Sequence, residues 1–193
     1  MRLCVIFISL VALSLAGCVT NRSTDPPRTA TEQLLISAAA DQAAKNLKLA
    51  VPNGSRVFVD SSNFEGYDSK YAIGAIRDSL LQQGLRLSND KGNADTIVEI
   101  RCGALSVDDH TLLIGVPSVN LPIPLATATT LPEIALYKRE MQQGVAKFAA
   151  TNYDAKQGTF VSSSSSIGAS HEQKSTVLLL ISWSDDNLGR PDN

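Results

Sequence analysis

The stretch Thr96–Val107, TIVEIRCGALSV, sets Val98, Ile100 and Cys102 on one side of an extended chain and Ile97, Glu99 and Arg101 on the other. Alternation of this period belongs to a strand, and one apolar and one charged side belong to a sheet with one dry face and one wet face. Something must cover the dry face. Upstream, TATEQLLISAAADQAAKNLKLA begins with Thr29 and Glu32 at capping-box spacing, and Leu35, Ala39, Ala43 and Leu47 recur every four residues with Ala38 alongside. The spacing predicts a helix whose buried stripe is mostly small side chains, so it should seat close to its neighbour. Pro52-Asn53-Gly54 ends it.

Between these two segments, SRVFVDSS reads as a strand with Val57 and Val59 on one face and Phe58 on the other. Asp68 or Ser69 can cap a second helix over SKYAIGAIRDSLLQQG, with Ala72, Ile76 and Leu80 on its buried side, Ile73 and Leu81 flanking it, and Gly84 closing it. LRLS is a second strand, and SNDKGNAD is a loop. Beyond TIVEIRCGALSV, the polar run Asp108-Asp109-His110 reads as a hairpin tip. LPEIALYKREMQQG reads as a third helix, with Pro132 in its first turn and Ile134 and Met141 on one side. VAKFAATNY and TFVSSSSSIG are strands joined at Asp154–Gly158, with Gly158 at the left-handed position. STVLLLISW reads as a final, buried, central strand.

Together these elements predict an α+β fold, with two or three helices packed on one face of a mixed, mainly antiparallel sheet of five to six strands. The expected organisation is a signal segment over 1–17, a lipidated cysteine and flexible tether over 18–28, one globular domain over 29–184 and a disordered tail over 185–193. The chain carries 17 basic and 19 acidic residues, a formal charge of −2, without a basic cluster, which argues against nucleic acid as a partner.

The N-terminus supplies location. Leu3–Leu15 is apolar except for Ser9 and Ser14, and Arg2 is the only charge before Arg22. The run is shorter than the roughly 20 residues a membrane-spanning helix needs, but suits the apolar region of a secretory signal. It ends in Leu15-Ala16-Gly17-Cys18. LAGC resembles the bacterial lipobox, which implies cleavage between Gly17 and Cys18 and a diacylglycerol linked to the Cys18 sulfur. Val19 stands where an aspartate favours retention in the inner membrane, so the resemblance implies anchoring to the outer membrane, facing the periplasm. VTNRSTDPPR, from Val19 to Arg28, would then be a tether reaching at most about 35 Å. With Cys4 removed and Cys18 acylated, Cys102 has no partner for a disulfide within the chain.

The chain resembles a family of uncharacterised bacterial lipoproteins on LAGC, TDPPRTATEQLL, GVPSVNLPIP, LPEIALYKREMQQGVAK and VLLLISW. More distantly, VFVD, YAIGAIRDSLLQQG and ADTIVEIRCGAL are similar in layout to periplasmic assembly domains such as the curli-secretion lipoprotein and the amino-terminal domain of TolB. The first resemblance implies no activity. The second implies envelope binding or assembly and supplies no catalytic residue.

Candidate sites are few. Asp108, Asp109 and His110, joined by His171 and Glu172, have the donor types of a zinc site but no metal-ligand spacing, and they compete with a reading as solvated turn residues. Cys102 and His110 could form a nucleophile pair, against the ordinary fate of an inert buried thiol. These residues define the alternative of a small metal- or thiol-dependent hydrolase. GxSxG, GxxxxGK[ST] and GxGxxG are absent, and no cofactor is expected. The stretch Leu112–Pro132, LLIGVPSVNLPIPLATATTLP, carries no charge and four prolines. Its prolines argue against a central strand. Leu112, Ile114, Val116, Leu121 and Ile123 are the candidate contacts for an envelope protein, a second copy or the lipid interface, against the reading that the stretch folds back over its own sheet. The favoured expectation is a non-catalytic binding or scaffold role. A secretion-channel subunit is a further reading and would require long strands.

Overall fold

The computed structural model describes residues 27–121, 129–178 and 181–186. Along the chain come α1 (Ala30–Asn46), β1 (Arg56–Asp60), α2 (Ser69–Gln82), β2 (Arg86–Ser88), a 3-10 turn (Lys91–Asn93), β3 (Thr96–Val116), β4 (Val119–Leu121), β5 (Thr129–Leu131), β6 (Ile134–Asp154), β7 (Phe160–Leu178) and β8 (Ile181–Asp186). The main sheet has the order β2-β1-β3-β6-β7-β8. β1 pairs parallel to both β2 and β3, and every other pairing is antiparallel. The fold is α+β, with two α-helices against one face of a six-stranded mixed sheet.

Local chemistry sets the helix starts. Thr29 Oγ1 accepts from the Glu32 amide at 3.2 Å, and the Glu32 carboxylate accepts from the Thr29 amide at 2.8 Å, completing the capping box. Leu35, Ala39, Ala43 and Leu47 are buried as the spacing predicts, with Ile36, Ala40 and Ala44 widening the stripe in place of Ala38. At α2 the capping residue is Asp68, but its carboxylate accepts from Arg28 at 2.8 Å and not from the helix. Ala72, Ile76 and Leu80 are buried. Gly84 (φ +83°) and Gly158 (φ +66°) take the left-handed conformation expected at the end of α2 and in the β6–β7 turn.

The small-residue stripe of α1 lets the helix sit directly on strand backbone. A Cβ added to Gly168 would run into the Ala39 carbonyl oxygen, and one added to Gly144 into that of Leu35. Between these contacts Ser166 Oγ donates to the Ala43 carbonyl at 2.7 Å, and Ser170 Oγ donates to the Leu35 carbonyl at 2.5 Å. Ser166, the last of five consecutive serines from Ser162, and Ser170 thus turn inward to meet carbonyls of α1. The core beneath holds Val57, Val98, Ile100, Ala146, Phe148 and Ala150, with Phe64 folded over Phe148 at a ring separation of 5.5 Å. The wet face carries Glu99 and Arg101, the latter donating to Thr151 Oγ1 at 2.9 Å.

Three sequence expectations are corrected. Asp108-Asp109-His110 is not a hairpin tip but lies mid-strand in β3, paired with Gln143, Gln142 and Met141. LPEIALYKREMQQG is not a helix: from Ile134 it forms the first half of β6, where pairing with β3 on one side and β7 on the other overrides the helix propensity of Leu, Lys, Arg, Glu, Met and Gln. STVLLLISW is not one central strand, because it supplies the end of β7 and then β8, which pair antiparallel at the edge of the sheet. The expectation that the prolines keep the apolar stretch out of a central strand holds among the described residues: from Leu112 to Val116 β3 pairs only with β6, the ladder stops at Pro117 and Pro132, and β4 and β5 beyond them form a separate two-stranded sheet. β8 also takes in Asp185 and Asp186 from the expected tail, whose other residues lie outside those described.

Two stability outcomes follow. Gly168→Ala should cost at least about 2 kcal/mol in urea unfolding, since the added methyl meets helix backbone that cannot move alone. Gly74→Ala, whose added Cβ meets nothing within 4 Å in α2, should stabilise by up to about 1 kcal/mol. Second, Arg56 hydrogen-bonds Asp95 at 2.9 Å and holds its carboxyl at about 2. The stability this pair gives is fully present above the ordinary carboxylate value of about 4 and is lost as pH falls through about 2. Asp95→Asn should therefore flatten the loss of stability between those two pH values.

Candidate functional site

β3 and β6 each contain 21 residues and β7 contains 19. At about 3.3 Å per residue the longest strands measure roughly 70 Å. α1, at 17 residues, covers only about 25 Å. The sheet therefore outruns its helices, and the end left uncovered follows from the direction of α1. Leu35 sits over Gly144, whereas Ala43, eight residues later, meets Ser166, the partner of Phe148. The N-terminus of α1 thus points toward the far ends of β3, β6 and β7. Arg28, the last residue before α1 and its cap, is fixed there by Asp68 and by stacking 4.2 Å above the Tyr67 ring.

Directly paired residues of neighbouring strands share a face of the sheet. Ser166, Gly168 and Ser170 face α1, and so do their partners Phe148, Ala146 and Gly144. The same parity carries Asp109, Thr111 and Leu113 of β3 and Gln142, Glu140 and Lys138 of β6 onto the helix side. On that side Lys138 bridges Glu140 at 2.8 Å and Glu133 at 2.9 Å, and both carboxylates raise its ammonium above the ordinary lysine value. Buried Gln142 donates to Asp109 Oδ1 at 2.5 Å.

The opposite side of the overhang is different. Two rows cross four strands there: Leu112–Arg139–Thr176–Trp183 and Ile114–Tyr137–Leu178–Ile181. Leu112 and Ile114 are each 55% exposed, Leu178 47%, Ile181 66% and Trp183 48%. Further along the hairpin Val116, Val119, Leu131 and Ile134 are exposed as well. Leu112, Ile114 and Val116, three of the residues expected to make contacts, therefore stand in the open and do not fold back over the sheet. Leu121 ends β4, and Ile123, like Gly17 and Cys18, lies outside the described residues. Leu178, Ile181 and Trp183 join the same surface. Their apolar run reads locally as an interior strand, and only pairing across β6 and β7 brings them to this surface.

The catalytic candidates are not brought together. Cys102 pairs with Phe148 on the helix side, whereas His110 pairs with Met141 on the other, and about eight residues of extended strand separate them. The Cys102 thiol is half-buried, and burial pushes its pKa up, away from the thiolate a nucleophile needs. Asp108 and Asp109 are adjacent and so occupy opposite faces. The register sets His171 in line with Gln143 and Asp108, and Glu172 in line with Gln142 and Asp109. Among the described residues, no group of three or more His, Cys, Asp or Glu side chains could hold a metal ion. A shallow depression beside His110 is lined by Leu112, Arg139 and Met141, and an apolar groove between the starts of α1 and α2 is lined by Leu34, Asp68 and Tyr71. Tyr71 closes the side of that groove by donating to Asp41 at 3.0 Å.

The fold and its surface define an α+β domain that leaves one apolar end of its sheet uncovered, beside the point where its N-terminal segment departs. The chain matches the family of unknown function DUF6655 over residues 12–178 and belongs to that family. No curated protein matches it. No helix among the described residues is long and apolar enough to cross a membrane.

The state of the thiol is directly measurable. Iodoacetamide at mildly alkaline pH should modify Cys102 far more slowly in the folded Cys18→Ser chain than in urea. Equal rates in the two states would return Cys102 to the list of candidate nucleophiles.

Proposed function

We propose that this protein is a lipid-anchored component of the bacterial envelope, held to the outer membrane through acylated Cys18 and facing the periplasm, with a binding or scaffolding role in place of catalysis. The observation that carries the anchor is LAGC closing a short apolar run, and the family match begins at residue 12, so it takes in Cys18. One acyl chain holds a membrane only marginally, and two or more hold it stably, so a diacylglyceryl cysteine accounts for retention without a spanning helix. The binding role is supported by the uncovered apolar face of the overhang, since contiguous exposed apolar surface of this kind marks interaction sites.

The alternative of a metal- or thiol-dependent hydrolase is weakened by the placement of Cys102 and His110 on opposite faces. A secretion-channel subunit gains from the 21-residue strands but loses on β1 and β2, whose five and three residues fall short of the nine to eleven that a membrane-crossing strand needs.

Intact-mass analysis of protein extracted from its own membranes should give a chain beginning at Cys18 and carrying diacylglyceryl and fatty-acyl mass. Cys18→Ser should abolish both the cleavage and the added mass. An unmodified chain beginning at another residue would end this reading.

A further inference from the structure

We infer that the uncovered face of the overhang is a second membrane contact, which rests on the headgroup–acyl boundary of the leaflet that holds Cys18. This inference builds on the lipid-anchor reading and adds the identity of what the exposed surface meets. Three independent features select a lipid surface over a protein.

The first is direction and reach. The tether arrives at the N-terminus of α1, which points toward the overhang. From Val19 to Arg28 it reaches at most about 35 Å. The overhang from Leu112 to Leu121 is about ten residues, or roughly 33 Å. A lipid on Cys18 therefore lies within reach of the same plane as the end of the hairpin, and no arrangement that fully extends the tether is needed to bring Leu112 and Ile114 to the leaflet.

The second is composition. Residues 112–132 contain no charged side chain. A protein partner commonly meets a polar, hydrogen-bonding rim around an apolar centre. Along β3 the described side chains of this face become less polar, from Asp108 and His110 through Leu112 and Ile114 to Val116, and the polar groups farther along are Asn120, which accepts from Thr130, and Glu133, which pairs with Lys138. Aromatic residues stand at the transition: Trp183 in the row of Leu112 and Tyr137 in the row of Ile114. Trp and Tyr favour the membrane interface, with an apolar ring and one polar group. Arg139, exposed in the Trp183 row, has the length to keep its guanidinium among phosphates while its stem lies on apolar surface.

The third is depth. Past Glu99, no strand among the described residues lies beside β3 on its outer edge, since β1 pairs only as far as that residue. Unpaired backbone N–H and C=O groups are costly in the hydrocarbon core but find partners among headgroups and water. This geometry keeps the sheet at the interface and does not let it cross.

The sole tryptophan, Trp183, reports the contact without a label. The chain from residue 18 to 193, expressed without its signal segment, carrying Cys18→Ser and so lacking its anchor, is mixed with vesicles of phosphatidylethanolamine and phosphatidylglycerol. Trp183 emission should shift to the blue and be quenched by lipids brominated along the acyl chain. Ile114→Glu combined with Ile181→Glu, both at exposed positions, should lower vesicle partitioning by at least about tenfold, because carboxylates would enter the acyl boundary. Ile167→Glu, on the same face but behind the overhang, should leave it unchanged, with circular dichroism confirming the fold of each variant. Emission that stays at its aqueous position with vesicles present would overturn the inference. So would a blue shift that follows protein concentration and not lipid, which would assign the face to a second copy. Neither outcome touches the anchor, which the intact mass decides separately.

Discussion

The contact on which the structure depends is backbone on backbone. α1 rests its carbonyls of Leu35 and Ala39 against Gly144 and Gly168, and hydroxyls of Ser166 and Ser170 tie the same stretch. Because both surfaces are stripped of side chains, the helix seats at one place and in one direction along β6 and β7. That placement covers one end of long strands and leaves the other end open. It also aims the N-terminus of α1 at the open end. The exposed apolar face is therefore no defect of packing. A 17-residue helix cannot cover a 21-residue strand, since strand rise per residue is about twice that of a helix.

The compact half of the fold was legible in the sequence, because its signals are local. The Thr29–Glu32 box, the four-residue stripe of α1, Gly84, Gly158 and the alternation of Thr96–Cys102 each act within a few residues. The overhang was not legible, because what makes it a sheet is pairing between segments far apart in the chain. Ile134 and Met141 stand seven apart, which fits two turns of helix as well as opposite parities of a strand. Asp108-Asp109-His110 has turn composition, and only the facing Gln143, Gln142 and Met141 hold it extended. One signal was available: Lys138 and Glu140, two residues apart, meet on one face only in a strand. The STVLLLISW segment shows the limit of reading burial from apolar runs, since a run can be apolar because it stands at an exposed interaction surface.

The same comparison sorts the candidate sites. Leu112, Ile114 and Val116 could be picked out because an uncharged, proline-broken stretch is conspicuous in any sequence. Trp183, Ile181 and Leu178 could not, as they join those residues only through β6 and β7. The catalytic candidates had suitable side-chain chemistry and lacked geometry. A strand places neighbours on opposite faces and separates residues eight apart by most of a helix's length, so Cys102 and His110 cannot meet. What remains is a domain whose unusual feature is an exposed apolar surface.

The central claim is that the strands continue past the helices, so that Leu112–Val116 and Ile134–Gln143 form paired sheet with one apolar face in the open. Nuclear Overhauser contacts in the unlipidated Cys18→Ser chain test it most directly. Cross-strand contacts from Ile114 to Tyr137 and from Tyr137 to Leu178 are the predicted result. Sequential contacts of helical spacing through Glu133–Gln143, with no contact between Ile114 and Tyr137, would contradict it.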